Sequence, residues 1–253
     1  MRRLGLMVVM LSTSLAWGQE KPARLTFDVA SIRLTKPGTL NGMIKALPGG
    51  HGYTAQNIPV KLMFSLMYKV PMRQIKGDPE WLNADRYDVE ARVDGAYSID
   101  DLHTMFQNLL ADRFHLTFHK ETKEGNVYAL TVDPSGLKMK RNESAQDFNI
   151  PITFTNDGVA GVRVPMNYLS WWLGQNLQRD ERPVVDMTGL EGNYDFKLTF
   201  APPLPPDVVP PPEFKDRPSL FDAVRDQLGL RLKAQTGPVD FYVIDHVERP
   251  SEN

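Results

Sequence analysis

The chain has 253 residues, 42% of them hydrophobic and 24% charged, with a formal net charge of −2. That is the composition of an ordinary folded protein, long enough for one large domain or two of about 100 residues. No basic run is present, which argues against nucleic acid as a partner. There is no cysteine, so thiol catalysis, thiolate metal sites and disulfides are excluded, and the core alone must hold the fold.

Met1-Arg2-Arg3 followed by the largely apolar Leu4–Trp17 has the form of a secretory signal peptide. Small residues at Ala16 and Gly18 set the expected cleavage before Gln19, leaving residues 1–18 as the leader and a periplasmic or secreted mature chain with no membrane span. Arg24–Leu34 reads as a first strand and Tyr53–Asn57 as a second. Pro59 then opens a helix at its first position, with Val60, Met63, Phe64 and Met67 on one face. Pro165 opens another, with Met166, Leu169, Trp172 and Leu173.

The parallel continues. Arg86-Tyr-Asp-Val-Glu-Ala has a counterpart in Asn193-Tyr-Asp-Phe-Lys-Leu, and Gly77-Asp78 in Asp186-Met-Thr-Gly189. The helix of Leu102, Met105, Phe106 and Leu110, capped by Ser98 and Asp101, is matched by Leu220, Ala223, Val224 and Leu228 with Ser219 and Asp222. Each is expected to run into a hairpin. The first joins Phe114–Lys120 to Val127–Val132 through Lys123-Glu-Gly-Asn126; the second joins Leu230–Ala234 to Val239–Val247 through Thr236-Gly-Pro238. The expectation is an α+β fold of two tandem strand-helix-strand-helix-hairpin repeats with a period of about 107 residues, mostly antiparallel sheet covered by helices. The repeats would occupy 19–137 and 151–247, joined by a polar linker at 138–150 and followed by a tail at 248–253. Ala201–Pro218, with eight prolines, reads as a semi-rigid insertion in the second repeat.

Chemistry is sparse. Asp186-Met-Thr-Gly is not the Asp-Thr-Gly of aspartic proteases, which also need a second carboxylate sharing the proton. Asp78, Asp186 and Gly189 are therefore read as structural turn residues. His115 and His119 lie four apart on a strand pattern, about 13 Å from each other, too far to ligate one ion. His51 sits in a glycine-rich turn that lacks the lysine of a phosphate loop, and Asp245-His246 has no nucleophile elbow to complete a triad. No catalytic, metal or cofactor residue is assigned. On the Pro165 helix, Tyr168 and Trp171 form a second apolar face, either sandwiched between layers or a patch for a partner.

Several motifs occur in a recognisable order: Phe27-Asp-Val-Ala-Ser-Ile, Gly77-Asp-Pro-Glu-Trp-Leu-Asn-Ala-Asp-Arg-Tyr-Asp-Val-Glu-Ala, Leu109-Leu-Ala-Asp-Arg-Phe-His-Leu, Arg182-Pro-Val-Val-Asp-Met-Thr-Gly-Leu-Glu-Gly-Asn-Tyr-Asp-Phe and Gly237-Pro-Val-Asp-Phe-Tyr-Val-Ile-Asp-His. Together they resemble the soil-associated bacterial protein family, a family of unknown function. The resemblance implies an exported protein with no assigned activity and no catalytic residues to carry over. Some relatives appear fused to a membrane metallopeptidase of the antibiotic-sensor type, which points to sensing or partner binding. The Leu102–Val132 pattern also looks like the short N-terminal domains of secretins and TonB-dependent receptors. The leading expectation is thus a non-enzymatic binding or interaction module whose partner is an unidentified envelope protein or ligand. The alternative is a hydrolase of envelope or environmental polymers, drawing its acids from Asp85, Asp88, Asp195 or Glu191 beside Trp81 and Tyr194.

Overall fold

In the computed structural model, residues 24–144, 150–177, 182–201, 211, 214 and 216–251 are described. The expected leader, most of the proline-rich Ala201–Pro218 segment, part of the expected linker and the last two residues of the tail lie outside them. Within this set twelve strands form three four-stranded sheets, accompanied by five α-helices. The fold is α+β and mostly antiparallel.

The N-terminal sheet has the order β1-β5-β3-β2, from β1 (Val29–Leu34), β2 (Met43–Ala46), β3 (Gly52–Pro59) and β5 (Arg86–Arg92). Its buried face alternates as period-2 patterning demands, with Tyr87, Val89 and Ala91 inward. α1 (Val60–Tyr68) and α3 (Ile99–Arg113) cover it. Pro59 is the last residue of β3 and the N-cap of α1, at φ −73° and ψ 148°, rather than its first helical residue. Ser98 caps α3 through the Asp101 N–H at 3.0 Å. The C-terminal sheet has the order β7-β11-β9-β8, from β7 (Lys140–Arg141), β8 (Ile152–Thr155), β9 (Gly158–Pro165) and β11 (Asn193–Thr199). α4 (Met166–Asn176) packs beside it. The expected polar linker is therefore not all loop, since Lys140–Arg141 pairs with Tyr194 and Asp195 as an edge strand. The last helix is short and irregular: α5 (Leu220–Ala223) passes into a π turn, Val224–Leu228, closed by left-handed Gly229.

β3 and β9 carry the same irregularity. Asn57 and Arg163 are both left-handed, at φ 55° and 52°, and each marks a register shift against its partner strand. Their backbone N–H groups donate to Asp88 Oδ1 at 3.0 Å and to Asp195 Oδ1 at 2.9 Å. Gly52 and Gly158 open these strands. A Cβ on either would lie only 2.2 or 2.1 Å from the carbonyl oxygen of Ala91 or Leu198, so no side chain fits.

The two expected hairpins do not form. Phe114–Val132 and Leu230–Val247 do not fold back on themselves. Instead β6 (Thr117–Val132) and β12 (Leu230–His246) are single long strands that pair antiparallel with each other from end to end. The glycines taken as turn signals face one another, Gly125 opposite Gly237, with neither at positive φ. They serve close approach. A Cβ on Gly125 would sit 3.1 Å from Val239 Cγ2, and one on Gly237 would sit 3.2 Å from Val127 Cγ2. Pro238 is tolerated because β12 meets its other neighbour, β4 (Ile75–Lys76), only at Tyr242 and Val243.

This ribbon ties the molecule together. β4, from the N-terminal half, pairs parallel with β12, while β10 (Val184–Asp186), from the C-terminal half, pairs parallel with β6. The cores cross over in the same way. Ile244, Tyr242 and Val247 pack into the N-terminal core around Phe64 and Phe106. Tyr128 and Leu130 pack into the C-terminal core around Leu169 and Leu173. Each core thus takes a strand end from the opposite half of the chain.

Candidate functional site

The seam between the halves holds a cleft of about 300 Å³. Its walls are the segment that follows α1 (Lys69–Pro71 and Gln74), one face of α4 (Asn167, Ser170, Trp171, Gly174), β10, and β12 from Pro238 to Tyr242. Local structure sets each wall. α1 ends in left-handed Lys69, whose N–H returns to the Ser65 carbonyl, and the chain then turns across the seam. Gln74 Nε2 donates to the Asp240 carbonyl at 2.9 Å, and Arg73 donates to the Arg182 carbonyl at 2.9 Å, so the crossing is held at two points. α4 lies close against β10 at Gly174, where a Cβ would make ordinary contact at 3.6 Å with the Val184 nitrogen.

Two hydrogen-bonding atoms in the α4 wall have no partner among the described residues: Ser170 Oγ and Trp171 Nε1, both buried. In α1, by contrast, Ser65 Oγ donates to the Val70 carbonyl at 2.6 Å. Buried polar groups are nearly always paired, so these two adjacent exceptions among the described residues stand out in the wall of the cleft. Tyr168 and Trp171 do not form an open surface patch. Tyr168 is 8% exposed, and the two rings meet with centroids 5.4 Å apart. Trp171 is half-buried.

Behind Tyr168 lies a second, smaller cavity of about 60 Å³, bounded by Asp100 and His103 of α3 and by Val162, Arg163 and Pro165 of β9. Lys69 lines both spaces. Its ammonium pairs with Asp100 at 3.2 Å and stands 6.0 Å from the centre of the Tyr168 ring. His103 Nε2 is 3.3 Å from the Tyr53 hydroxyl. Burial, with the Lys69 charge adding to it and Asp100 opposing, pushes the His103 imidazole down to about 4. Burial raises Tyr168 to about 12 and also raises Tyr53. At neutral pH this buried cluster carries no charge on its rings.

Three of the four carboxylates considered for hydrolysis are engaged elsewhere. Asp85 binds Arg249 Nε at 2.7 Å, and the Arg249 guanidinium lies 5.0 Å over Trp81. Asp88 accepts from the Asn57 N–H and the Thr35 hydroxyl; burial works against its ionisation, but these bonds and Arg33 outweigh it and hold the carboxyl below the usual range. Asp195 accepts from Asn142 and the Arg163 N–H. Tyr194 is buried, and its hydroxyl donates to the Glu191 carbonyl. No facing pair is left for acid–base work within this group.

Asp186 is the last residue of β10. Its Oδ1 accepts from the Thr188 N–H at 2.9 Å and the Thr188 hydroxyl at 2.7 Å, and Gly189 follows at φ 66°. Asp78, two residues beyond β4, pairs instead with Lys61 at 2.8 Å. Asp245 is bonded across the ribbon to His119 at 2.7 Å, and His246 to Glu248 at 2.8 Å, so Asp245 and His246 do not act as a unit. His115 is left-handed at φ 51°, just before β6. His51 is exposed. Among the described residues, no group of three or more His, Asp or Glu side chains could hold a metal ion, and no helix is long and apolar enough to cross a membrane.

Sequence reasoning reached Trp171 and Asp186 but not Lys69, Gln74, Asn167, Ser170 or Asp240. One signal was available: Ser170 is polar inside an otherwise apolar run, Leu169 to Leu173.

The model of DUF3738, a protein family of unknown function, matches residues 61–247. The chain belongs to this family. The matched region runs from the first turn of α1 to just past the end of β12, so it takes in every wall of the cleft and both strands of the ribbon. No curated protein and no solved structure matches the chain.

Proposed function

We propose that this chain is an exported, non-enzymatic binding module, built by tandem duplication, whose two halves close a ligand cleft along their seam. The observation that carries the reading is the α4 wall. A cleft of about 300 Å³, at the lower end of the range of small-molecule sites, is lined by two residues with buried groups that lack a partner among the described residues. Duplication is supported by the paired bulges at Asn57 and Arg163, each satisfied by an aspartate on the neighbouring strand. The reciprocal pairing of β4 with β12 and of β10 with β6 supports it further. Export, to the periplasm or the medium, rests on the basic and then apolar N-terminus, and the soil association rests on the motif resemblance.

The reading is tested by comparing the intact chain with its Trp171→Ala variant for heat stabilisation by a small-molecule fraction of envelope extract. Stabilisation of the wild type alone supports a ligand in the cleft. Equal response, or none in either protein, defeats it. N-terminal sequencing of protein recovered outside the cytoplasm tests export, with Gln19 expected as the first residue.

A further inference from the structure

We propose, resting on the binding reading above, that the cleft takes an uncharged or amino-bearing saccharide of one or two rings. The argument begins with the two unpartnered groups. An indole N–H can only donate, so Trp171 requires an acceptor, and Ser170 Oγ is equally unsatisfied beside it. Two carboxylates in the walls act in the opposite sense. Asp186 and Asp240 each have one carboxyl oxygen engaged, by Thr188 and by Thr122, and a further oxygen able to accept. A fitting ligand must therefore offer acceptors towards α4 and donors towards β10 and β12.

Charge narrows the class. Lys69 is the cation lining the cleft, and Asp100 already neutralises it. Asp240 has the Lys120 charge acting on it from outside the walls, and among the described lining residues no further cation faces Asp186, which disfavours phosphates, nucleotides and carboxylic acids. A proline-rich peptide offers carbonyl acceptors but no backbone N–H for Asp186 and Asp240. Sugar hydroxyls both donate and accept, and the C–H face of a pyranose ring suits an apolar wall. Half-buried Trp171, with Pro238, Val239 and Tyr242, supplies that wall. An amino sugar would in addition place its ammonium beside a carboxylate.

The test titrates the intact chain with cellobiose, chitobiose and a decaproline peptide, using calorimetry and tryptophan fluorescence. The same titrations are run on Ser170→Ala and on Trp171→Phe, which keeps an aromatic ring and removes the N–H. Each variant deletes a group that has no partner among the described residues, so both should fold, and Ser170→Ala should melt no lower than wild type. The expected result is saturable binding of one disaccharide per chain, weakened at least tenfold in both variants. No disaccharide binding at about 10 mM, beyond the weakest useful affinities, overturns the saccharide assignment. Disaccharide binding left intact in both variants overturns it as well. Binding of decaproline alone, lost in the same variants, overturns the saccharide class while leaving the cleft as a binding site.

Discussion

Gly125 stands directly opposite Gly237 at the middle of the β6–β12 ribbon, and each glycine makes room for the valine two residues along the other strand. If these were turn residues, a polar side chain would be accepted. In the ribbon, Gly125→Ala should be mild because Val239 can shift a little. Gly125→Val, which forces branched groups together, should cost about 1–3 kcal/mol. Urea melts of the two variants distinguish these cases, and equal stability of both with wild type would contradict the packing argument.

The crossing of strand ends between cores makes a prediction about cooperativity. Ile244, from β12, is buried in the N-terminal core. Ile244→Ala should cost about 2–5 kcal/mol, the usual range for such a truncation. Because the same strand also supplies Leu230 to the C-terminal core, both should unfold together. Fluorescence from Trp81 on one side and from Trp171 and Trp172 on the other, followed in single-tryptophan backgrounds, should report coincident transitions. Separated transitions would show that the cores are independent.

Asp88 and Asp195 each satisfy the N–H of a left-handed bulge residue. Replacing either by alanine should destabilise the fold by about 1–3 kcal/mol, whereas asparagine keeps an acceptor and should cost less. Asp88 has its pKa lowered in the folded protein, so its ionised form contributes stability at neutral pH. That contribution is lost as pH falls through the depressed folded value. The stability gap between wild type and Asp88→Asn should accordingly close in strong acid and be constant from pH 6 to 8. A gap that persists below pH 2 would contradict this.

His103 acts with the same sign at higher pH. Its folded pKa, near 4, lies below the ordinary value of 6.5, so between these values the unfolded chain binds the extra proton. Stability should fall as pH drops from about 6.5 towards 4, by up to about 1.4 kcal/mol per unit and on the order of 3 kcal/mol in all. His103→Gln should flatten this part of the profile. Denaturant melts at pH 7.0, 5.5 and 4.5 measure it, and parallel profiles for the two proteins would remove His103 as the cause.

Asp186 is exposed, as is the turn it organises. Water can replace its carboxylate, so Asp186→Ala should cost under about 1 kcal/mol, less than a buried turn would demand. Gly189→Ala should cost at least as much even though nothing lies within 4 Å of the new Cβ, because φ 66° is itself unfavourable for alanine. Thermal melts settle the order of the two variants.

The local elements were legible because their signals are local. Val60, Met63 and Met67 recur at helical spacing and form the buried face of α1, and Ser98 and Asp101 make the cap their spacing announces. Tyr87, Val89 and Ala91 alternate and face the core of their sheet. Pairing between distant segments leaves no such trace. Gly125 and Thr236-Gly-Pro238 carry turn residues, and only the tertiary structure decides that they lie extended, because the partner that fills the space above each glycine is more than a hundred residues away. The cleft belongs to the same class. Lys69, Ser170 and Asp240 sit in three separate stretches of the chain, and no spacing between them announces a shared site. They become neighbours because each half lends a strand to the other, and the seam this creates between α1, α4 and the ribbon is where two buried donors have no partner among the described residues.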